Sequence, residues 1–467
     1  MKSPLNVVIL AAGLGTRMKS KKAKVLHRAG GMSLVEHVVQ TATAVAPAER
    51  VTVVVGHQAE EVRQLLAPSG VRFAEQKEQK GTAHALLVAR ETVDSEKGLL
   101  LVLYGDCPLL ARATVEELLR RQSASRAAAT VITTQLEDPA GYGRILFGPD
   151  RAIEAIVEHK AATEEQRQIR FINSGIYCFR AELLWKHIGE IQTNNPAGEY
   201  YLTDLVEIFR RAGHGVLAME VEDSRELLGI NTRIELAEVD RIFRQRKAQE
   251  LMLAGVTIEK PDTVTIDPAV EIGADSIIGP FAQLLGRSKI GADCCIGASS
   301  IVADSTLADG VEIAPFTSIV DSTVAAGAAV GPFARLRGNA RVGAEAHIGN
   351  FVELKNTEFG AGAKANHLAY LGDSEIGDRT NIGAGTITCN YDGANKHRTQ
   401  IGKDAFVGSN STLVAPLEIG DGSYIGAGSV ITDPVPADAL GLGRAHQVVK
   451  AGWAADRKRK INKKPKA

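Results

Sequence analysis

Cysteine is scarce in this chain and does not pair: Cys107, Cys178, Cys294, Cys295 and Cys389 are odd in number and include no Cys-x-x-Cys. That argues against a disulfide-framed secreted fold and a thiolate zinc site, and predicts a reducing, cytoplasmic setting. Long apolar runs are also missing, and none approaches the roughly 18 residues that cross a bilayer. The start, MKSPLNVVILAAGLG, imitates a signal peptide only faintly, because its apolar run is short and broken by Gly13. Net charge is almost absent: 54 Lys and Arg against 55 Asp and Glu leave −1. No global pull toward nucleic acid or anionic membrane is built in, so phosphate must be held by local clusters. The exception is the end, where 7 of the 10 residues from Arg457 to Lys466 are Lys or Arg. At a terminus such a run reads as solvated charge.

What is present is enough for more than one core. A chain of 467 residues, 45% hydrophobic and 23% charged, predicts two or three globular domains. Residues 1–233 alternate aliphatic runs (VVILA, VTVVV, LLLVLYGD, AATVITTQ) with amphipathic stretches. Runs buried on both faces predict a Rossmann-like α/β domain with a mostly parallel sheet, whose ligands gather at the loops leaving the strand ends. Residues 234–254 lack Gly and Pro and predict a linking helix, ended by Gly255.

From residue 255 to 467 an aliphatic residue, often followed by Gly, recurs every six positions. Ile272, Ile278, Leu284, Ile290, Ile296 and Val302 form one such series, Val324 to Leu354 a second and Ile401 to Ile431 a third. Three hexapeptides make one coil of a parallel β-helix, with aliphatic side chains inward and glycine expected at the corners. The register breaks between Ile382 and Ile401, so GAGTITCNYDGANKHRTQ must loop out of the coil.

After the first strand comes LAAGLGTRM, Leu10 to Met18, then Lys24 in KAKVLH. Glycines 13 and 15 let backbone approach phosphate oxygens, while Arg17 and Lys24 neutralise charge. Gly-x-Gly alone is an ordinary tight turn. The whole string, however, resembles the signature of the sugar-1-phosphate nucleotidyltransferases. That resemblance implies backbone contacts to UTP from Leu10, Ala11, Ala12 and Gly13, and base reading by Gln76, Gly81 and Thr82. It also implies a Mg²⁺ held by Asp106, of Tyr104-Gly105-Asp106, together with Asn231. Gly143, Glu158 and Asn173 resemble the positions that hold an acetamido sugar.

A hexapeptide β-helix fixes architecture and not activity. Its polar residues are more informative: GPFARLRG carries Arg335 and Arg337, FVELKN carries Lys355, KANHLAYLGD carries His367 and Tyr370, and NIGAGTITCNYDG carries Asn381, Asn390 and Tyr391. With these, nearly all of the chain resembles the bacterial bifunctional N-acetylglucosamine-1-phosphate uridyltransferase and glucosamine-1-phosphate acetyltransferase. The resemblance implies a left-handed β-helix and a homotrimer, with acetyl sites at the seams between chains. It implies His367 as the base that takes a proton from the attacking amine, a role that suits an imidazole at neutral pH. It implies Arg337, Lys355, Tyr370 and Asn381 on the sugar phosphate, and Asn395 or Lys396 in a segment closing over the site. Ala384, Asn390, Tyr391, Ser409, Ala427 and Arg444 match acetyl-CoA positions. The product, UDP-N-acetylglucosamine, would feed peptidoglycan and lipopolysaccharide precursors. Asn366 and Gly338 depart from the family pattern, standing where a small residue and a proline are usual. Two other readings stay open on the sequence: a nucleotidyltransferase whose β-helix only trimerises or regulates, and a scaffold with two decayed sites.

Overall fold

The aliphatic runs of the first half lie side by side in one nine-stranded sheet. The computed structural model describes residues 4–93, 96–148 and 151–462, and the chain divides into the units Met1–Arg244 and Gln245–Ala467. In the first unit, strand Leu5–Leu10 pairs in parallel with Val51–Val55 on one side and Leu99–Tyr104 on the other. Arg72–Glu75 extends the sheet beyond Val51–Val55. One long strand, Phe171–Arg180, runs antiparallel between Leu99–Tyr104 and Ala129–Gln135, so the sheet is mostly but not wholly parallel. Helices cover it, and the one over Leu34–Thr43 begins with a capping box between Ser33 and Glu36. Such a cap contributes about 1 kcal/mol. The register that sets Leu10 opposite Tyr104 brings the loops after both strands together, with Gly105 N–H donating to Leu10 O at 3.0 Å.

Helix Arg233–Leu253 contains the division between the units. Val239 and Ile242 pack with Met18, Ala29 and Leu34 of the first unit. Ala248 and Leu251 belong to the core of the second.

That second unit is a left-handed parallel β-helix. Inward residues stack coil upon coil, as in Ile278, Ile296, Ile313 and Val330, each buried. Burying one such side chain contributes about 1.5–3 kcal/mol, and repetition makes the core continuous. Most successive coils step by 17 or 18 positions, but Ile382 pairs with Val407, a step of 25. The looped-out residues therefore fall where the sequence breaks register, after Cys389.

Glycine does less at the corners than expected. Asp304, Asp321, Asn339, Asn356 and Asp373 take left-handed conformations along one edge, and Phe316, Phe333 and Phe351 along another. The glycine after each inward aliphatic has a different task. A Cβ on Gly297, Gly343 or Gly383 would lie 2.6, 2.5 and 2.6 Å from backbone nitrogen of the next coil. Glycine here permits coils to approach, not chain reversal.

All five cysteines are free, and among the described residues no helix is long and apolar enough to cross a membrane. The basic run begins in helix Trp453–Asn462, exposed over residues 453–461. Its last lysines, Lys463, Lys464 and Lys466, lie outside the described residues.

Candidate functional site

The loop leaving strand Leu5–Leu10 walls a cleft of about 550 Å³. Leu10, Ala11, Ala12, Gly13, Lys24, Gln76, Gly81, Thr82, Tyr104, Asp106 and Asn231 all line it. Gly15 has φ +61°, and a Cβ there would sit 2.7 Å from Lys24 Cβ. Only glycine lets the loop fold down on that lysine. A Cβ on Gly13 would meet nothing within 4 Å, so its backbone borders open space in the cleft. Gln76 is buried, its amide nitrogen donating to Gly81 O at 3.1 Å and lying 3.0 Å from His84 Nδ1. Gly105 is tied to Leu10 behind the cleft, and Arg17 is exposed on the short helix Thr16–Met18, outside the lining. Gln79 and Glu199 also line the cleft, and the sequence reading missed both. Gln79 lay in the same EQKEQKGT string as Gln76, whereas nothing local marked Glu199.

Inside the cleft the Lys24 ammonium pairs with the Asp106 carboxylate and donates to Asn231 Oδ1 at 3.1 Å. Asn231 arrives from the far end of the domain, where Ile230 N–H donates to Asp106 O at 3.0 Å. Its amide nitrogen is spent on Gly229 O at 3.2 Å, which turns its oxygen to Lys24. Asp106 Oδ2 and Asn231 Oδ1 thus address one cationic point. Among the described residues no three or more His, Cys, Asp or Glu gather as a metal cage. Two oxygen donors lining the cleft nonetheless fit magnesium, which takes few protein ligands and completes its shell with water or a ligand's phosphate oxygens.

Gly143 pairs with Asn173 across neighbouring strands. Asn173 Oδ1 accepts from Tyr177 OH at 2.9 Å and from Gly175 N–H at 3.0 Å. Glu158 accepts from Thr203 Oγ1 at 3.4 Å, and burial pushes its carboxyl above the ordinary range. Burial, reinforced by the Glu158 and Asp106 carboxylates, holds the Tyr104 phenol well above its usual range. Tyr104 therefore stays a hydroxyl between the two groups of residues.

On the β-helix, His367 closes strand Lys364–His367 in register with Asn350 of the preceding coil. His367 Nδ1 lies 2.8 Å from Asn350 Oδ1. That oxygen only accepts, so Nδ1 carries the proton and Nε2 is left to receive one. The sequence reading missed Asn350, because its partner lies a full coil away. Coil stacking puts Ala384, Ser409 and Ala427 on the same corner as His367, with Asn410 N–H donating to Ala384 O at 2.7 Å and Gly428 N–H to Ser409 O at 2.8 Å.

Arg337, Lys355 and Gly372 stack on successive coils, and Arg337 Nε donates to Glu353 Oε1 at 2.6 Å. The Tyr370 ring folds over Gly372, whose Cβ would lie 2.5 Å from the Tyr370 hydroxyl and 2.9 Å from Asn390 Nδ2. Tyr391 is exposed in the looped-out segment and bridges to Lys396. Asn381 sits on a flat face three residues before Ala384, and Arg444 is exposed beyond the last strand. Gly338 has φ +62°, which proline cannot adopt, and Asn366 is exposed within its strand.

Residues 7–175 match the MobA-like NTP transferase domain, residues 261–356 the GMPPB C-terminal domain and residues 398–433 the bacterial transferase hexapeptide (six repeats). The bifunctional protein GlmU of Solibacter usitatus is 60% identical, with 98% of each chain covered. Those of Koribacter versatilis and Stutzerimonas stutzeri are 51% and 46% identical, covering 98% and 96% of this chain and 98% of each relative. With both units spanned at such identity, and the nucleotidyltransferase-like domain and hexapeptide coils each in place, the chain belongs to the family of bifunctional GlmU proteins.

Proposed function

We propose that the two activities of this enzyme divide between two catalytic domains, residues 1–233 and 255–467, with residues 234–254 as the linking helix. The enzyme is a uridyltransferase and an acetyltransferase that together make UDP-N-acetylglucosamine. The reading in which the β-helix is a non-catalytic appendage is not favoured, because the identity to bifunctional relatives runs through it.

In the first unit the reaction is in-line attack by the phosphate oxygen of N-acetylglucosamine-1-phosphate on the α-phosphorus of UTP. A P–O bond forms, the bond to pyrophosphate breaks, and the nucleophile is already ionised, so no base is needed. Gln76, Gly81 and Thr82 receive the base, the Leu10–Gly13 backbone the phosphates, and Gly143, Glu158 and Asn173 the sugar. Asp106 and Asn231 would hold Mg²⁺, which supplies charge neutralisation on the phosphates. Lys24 and Arg17 offset the remaining charge.

In the second unit the amine of glucosamine-1-phosphate attacks the thioester carbonyl of acetyl-CoA. The C–N bond forms, the C–S bond breaks, Nε2 of His367 takes the amine proton and the CoA thiolate leaves. Arg337, Lys355, Tyr370 and Asn381 hold the sugar phosphate, and Ala384, Asn390, Tyr391, Ser409, Ala427 and Arg444 hold acetyl-CoA. The contact between Asn350 and His367, on the corner shared with Ala384 and Ser409, carries this assignment. The enzyme works in the cytoplasm as a homotrimer, and the exposed stacked rings of Phe316, Phe333 and Phe351 support self-association.

Mass spectrometry of products from glucosamine-1-phosphate, acetyl-CoA, UTP and Mg²⁺ tests the whole scheme. UDP-N-acetylglucosamine is expected. Its absence, with N-acetylglucosamine-1-phosphate still converted, would leave only the first unit active.

A further inference from the structure

The edge of the β-helix that carries Asp304, Asp321, Asn339, Asn356 and Asp373 is a ladder of left-handed corners. Elsewhere on it the side chain holds the fold, as where Asp304 Oδ1 accepts from Arg287 N–H at 3.0 Å. Asp373 is used differently. Its Oδ1 accepts from Asn356 Nδ2 at 2.6 Å, and its Oδ2 accepts from Asn390 Nδ2. Both oxygens thus go to side-chain amides, one from the preceding coil and one at the entrance to the looped-out segment. Burial works against the charge, yet the two asparagines and the nearby ammoniums of Lys355 and Lys396 hold the carboxyl below its ordinary range.

We propose that Asp373 is a positioning residue for acetyl transfer, acting through Asn390. A carboxylate accepts and cannot donate, so it fixes which end of the Asn390 amide turns inward. The Asn390 oxygen is then left as the acceptor, which suits an amide N–H such as those of the pantetheine arm of acetyl-CoA. Asn390 is otherwise buried, 8% exposed, and its backbone carbonyl accepts from His397 N–H at 2.9 Å. The carboxamide nitrogen therefore has a carboxylate partner that sets its orientation. The same charge lies beside Lys355 and Lys396, so it also tempers the attraction for the sugar phosphate.

This rests on the assignment of Asn390 to the acetyl site, and a double-mutant cycle separates the two ideas. Asp373→Asn, Asn390→Ala and the double variant of the full chain are assayed for CoA release, with the Tm of the β-helix unit as the check on folding and pyrophosphate release as the check on enzyme concentration. Asp373→Asn keeps the shape but leaves one acceptor oxygen for two amide donors, Asn356 Nδ2 and Asn390 Nδ2. The expected result is a kcat/KM for acetyl-CoA lowered about 10-fold in each single variant, with no further loss in the double. KM for glucosamine-1-phosphate should not rise in Asp373→Asn, because a negative charge beside Lys355 has been removed. A loosened coil would raise both constants. Asn356→Ala, which leaves the Asn390 bond intact, should be milder. If Asn390→Ala is impaired while Asp373→Asn is not, or if the losses add, the positioning role is overturned and the acetyl site stands. If Asn390→Ala is unimpaired, the role falls together with the assignment of Asn390.

Discussion

Lys24 and Asp106 form an ion pair inside the cleft of the first unit, their side chains only 13% and 14% exposed. With Asn231 Oδ1 as its third partner, the ammonium occupies the point that the proposed magnesium would share. Asp106→Asn leaves a neutral donor set there and should lower uridyl transfer by about 10²–10³-fold. Acetyl transfer should be unchanged, and a chelator should reproduce the split. Pyrophosphate and CoA release, measured in parallel, check it; equal loss of both would contradict two separate sites.

His367→Ala should lower acetyl transfer by about 10²–10⁴-fold, the range a general base contributes. Asn350→Ala should cost a smaller factor, because Nε2 survives while the partner fixing Nδ1–H is lost. Uridyl transfer by both variants is the control. An unaffected Asn350→Ala would mean that the ring is held by something else.

Burial raises the Glu158 carboxyl, so the folded chain keeps that proton to higher pH than the unfolded chain does. The stability tied to the protonated form is present at low pH and is lost as pH rises through the folded value. Glu158→Gln cannot ionise, so its Tm relative to the parent should climb as pH rises above the ordinary glutamate range. A difference that stays flat with pH would show that ionisation at Glu158 carries no penalty.

Gly15→Ala forces a side chain into φ +61° and against Lys24 Cβ. The conformation alone costs about 1–2 kcal/mol, and relief by moving Lys24 should depress uridyl kcat. Differential scanning calorimetry and turnover together test this, and an unchanged kcat would show the loop adjusting without Lys24.

The proposed homotrimer predicts a mass about three times 49.7 kDa in light scattering. Phe333→Glu breaks the stack of rings at 5.1 and 5.2 Å and should lower that mass. A trimer that persists would place the interface elsewhere.

Much of this was legible without coordinates, because both signals are local. Period-six aliphatics and LAAGLGTRM need no distant partner to be recognised, and the register break after Ile382 marks the longer coil where Asn390 and Tyr391 lie. Asn350 was not legible. Its link to His367 spans 17 residues, and stacking alone makes them neighbours. Glu199 likewise reaches the cleft because the neighbouring Tyr200 backbone is hydrogen-bonded to Lys80 and Ala83, more than 100 residues earlier in the chain.

By itself the sequence determined the two architectures and the glycine-rich loop, and supplied the residue types proposed for both sites, since hydrophobic period and motif chemistry are properties of neighbours along the chain. Only the tertiary structure decided that Lys24 spans Asp106 and Asn231, that Arg17 stands outside the cleft lining, that Asx and Phe residues take many corners, and that Asp373 grips two amides. Each of these is set by which backbone lies across a sheet or one coil away, and hydrogen-bond geometry at that range has no signature in local sequence.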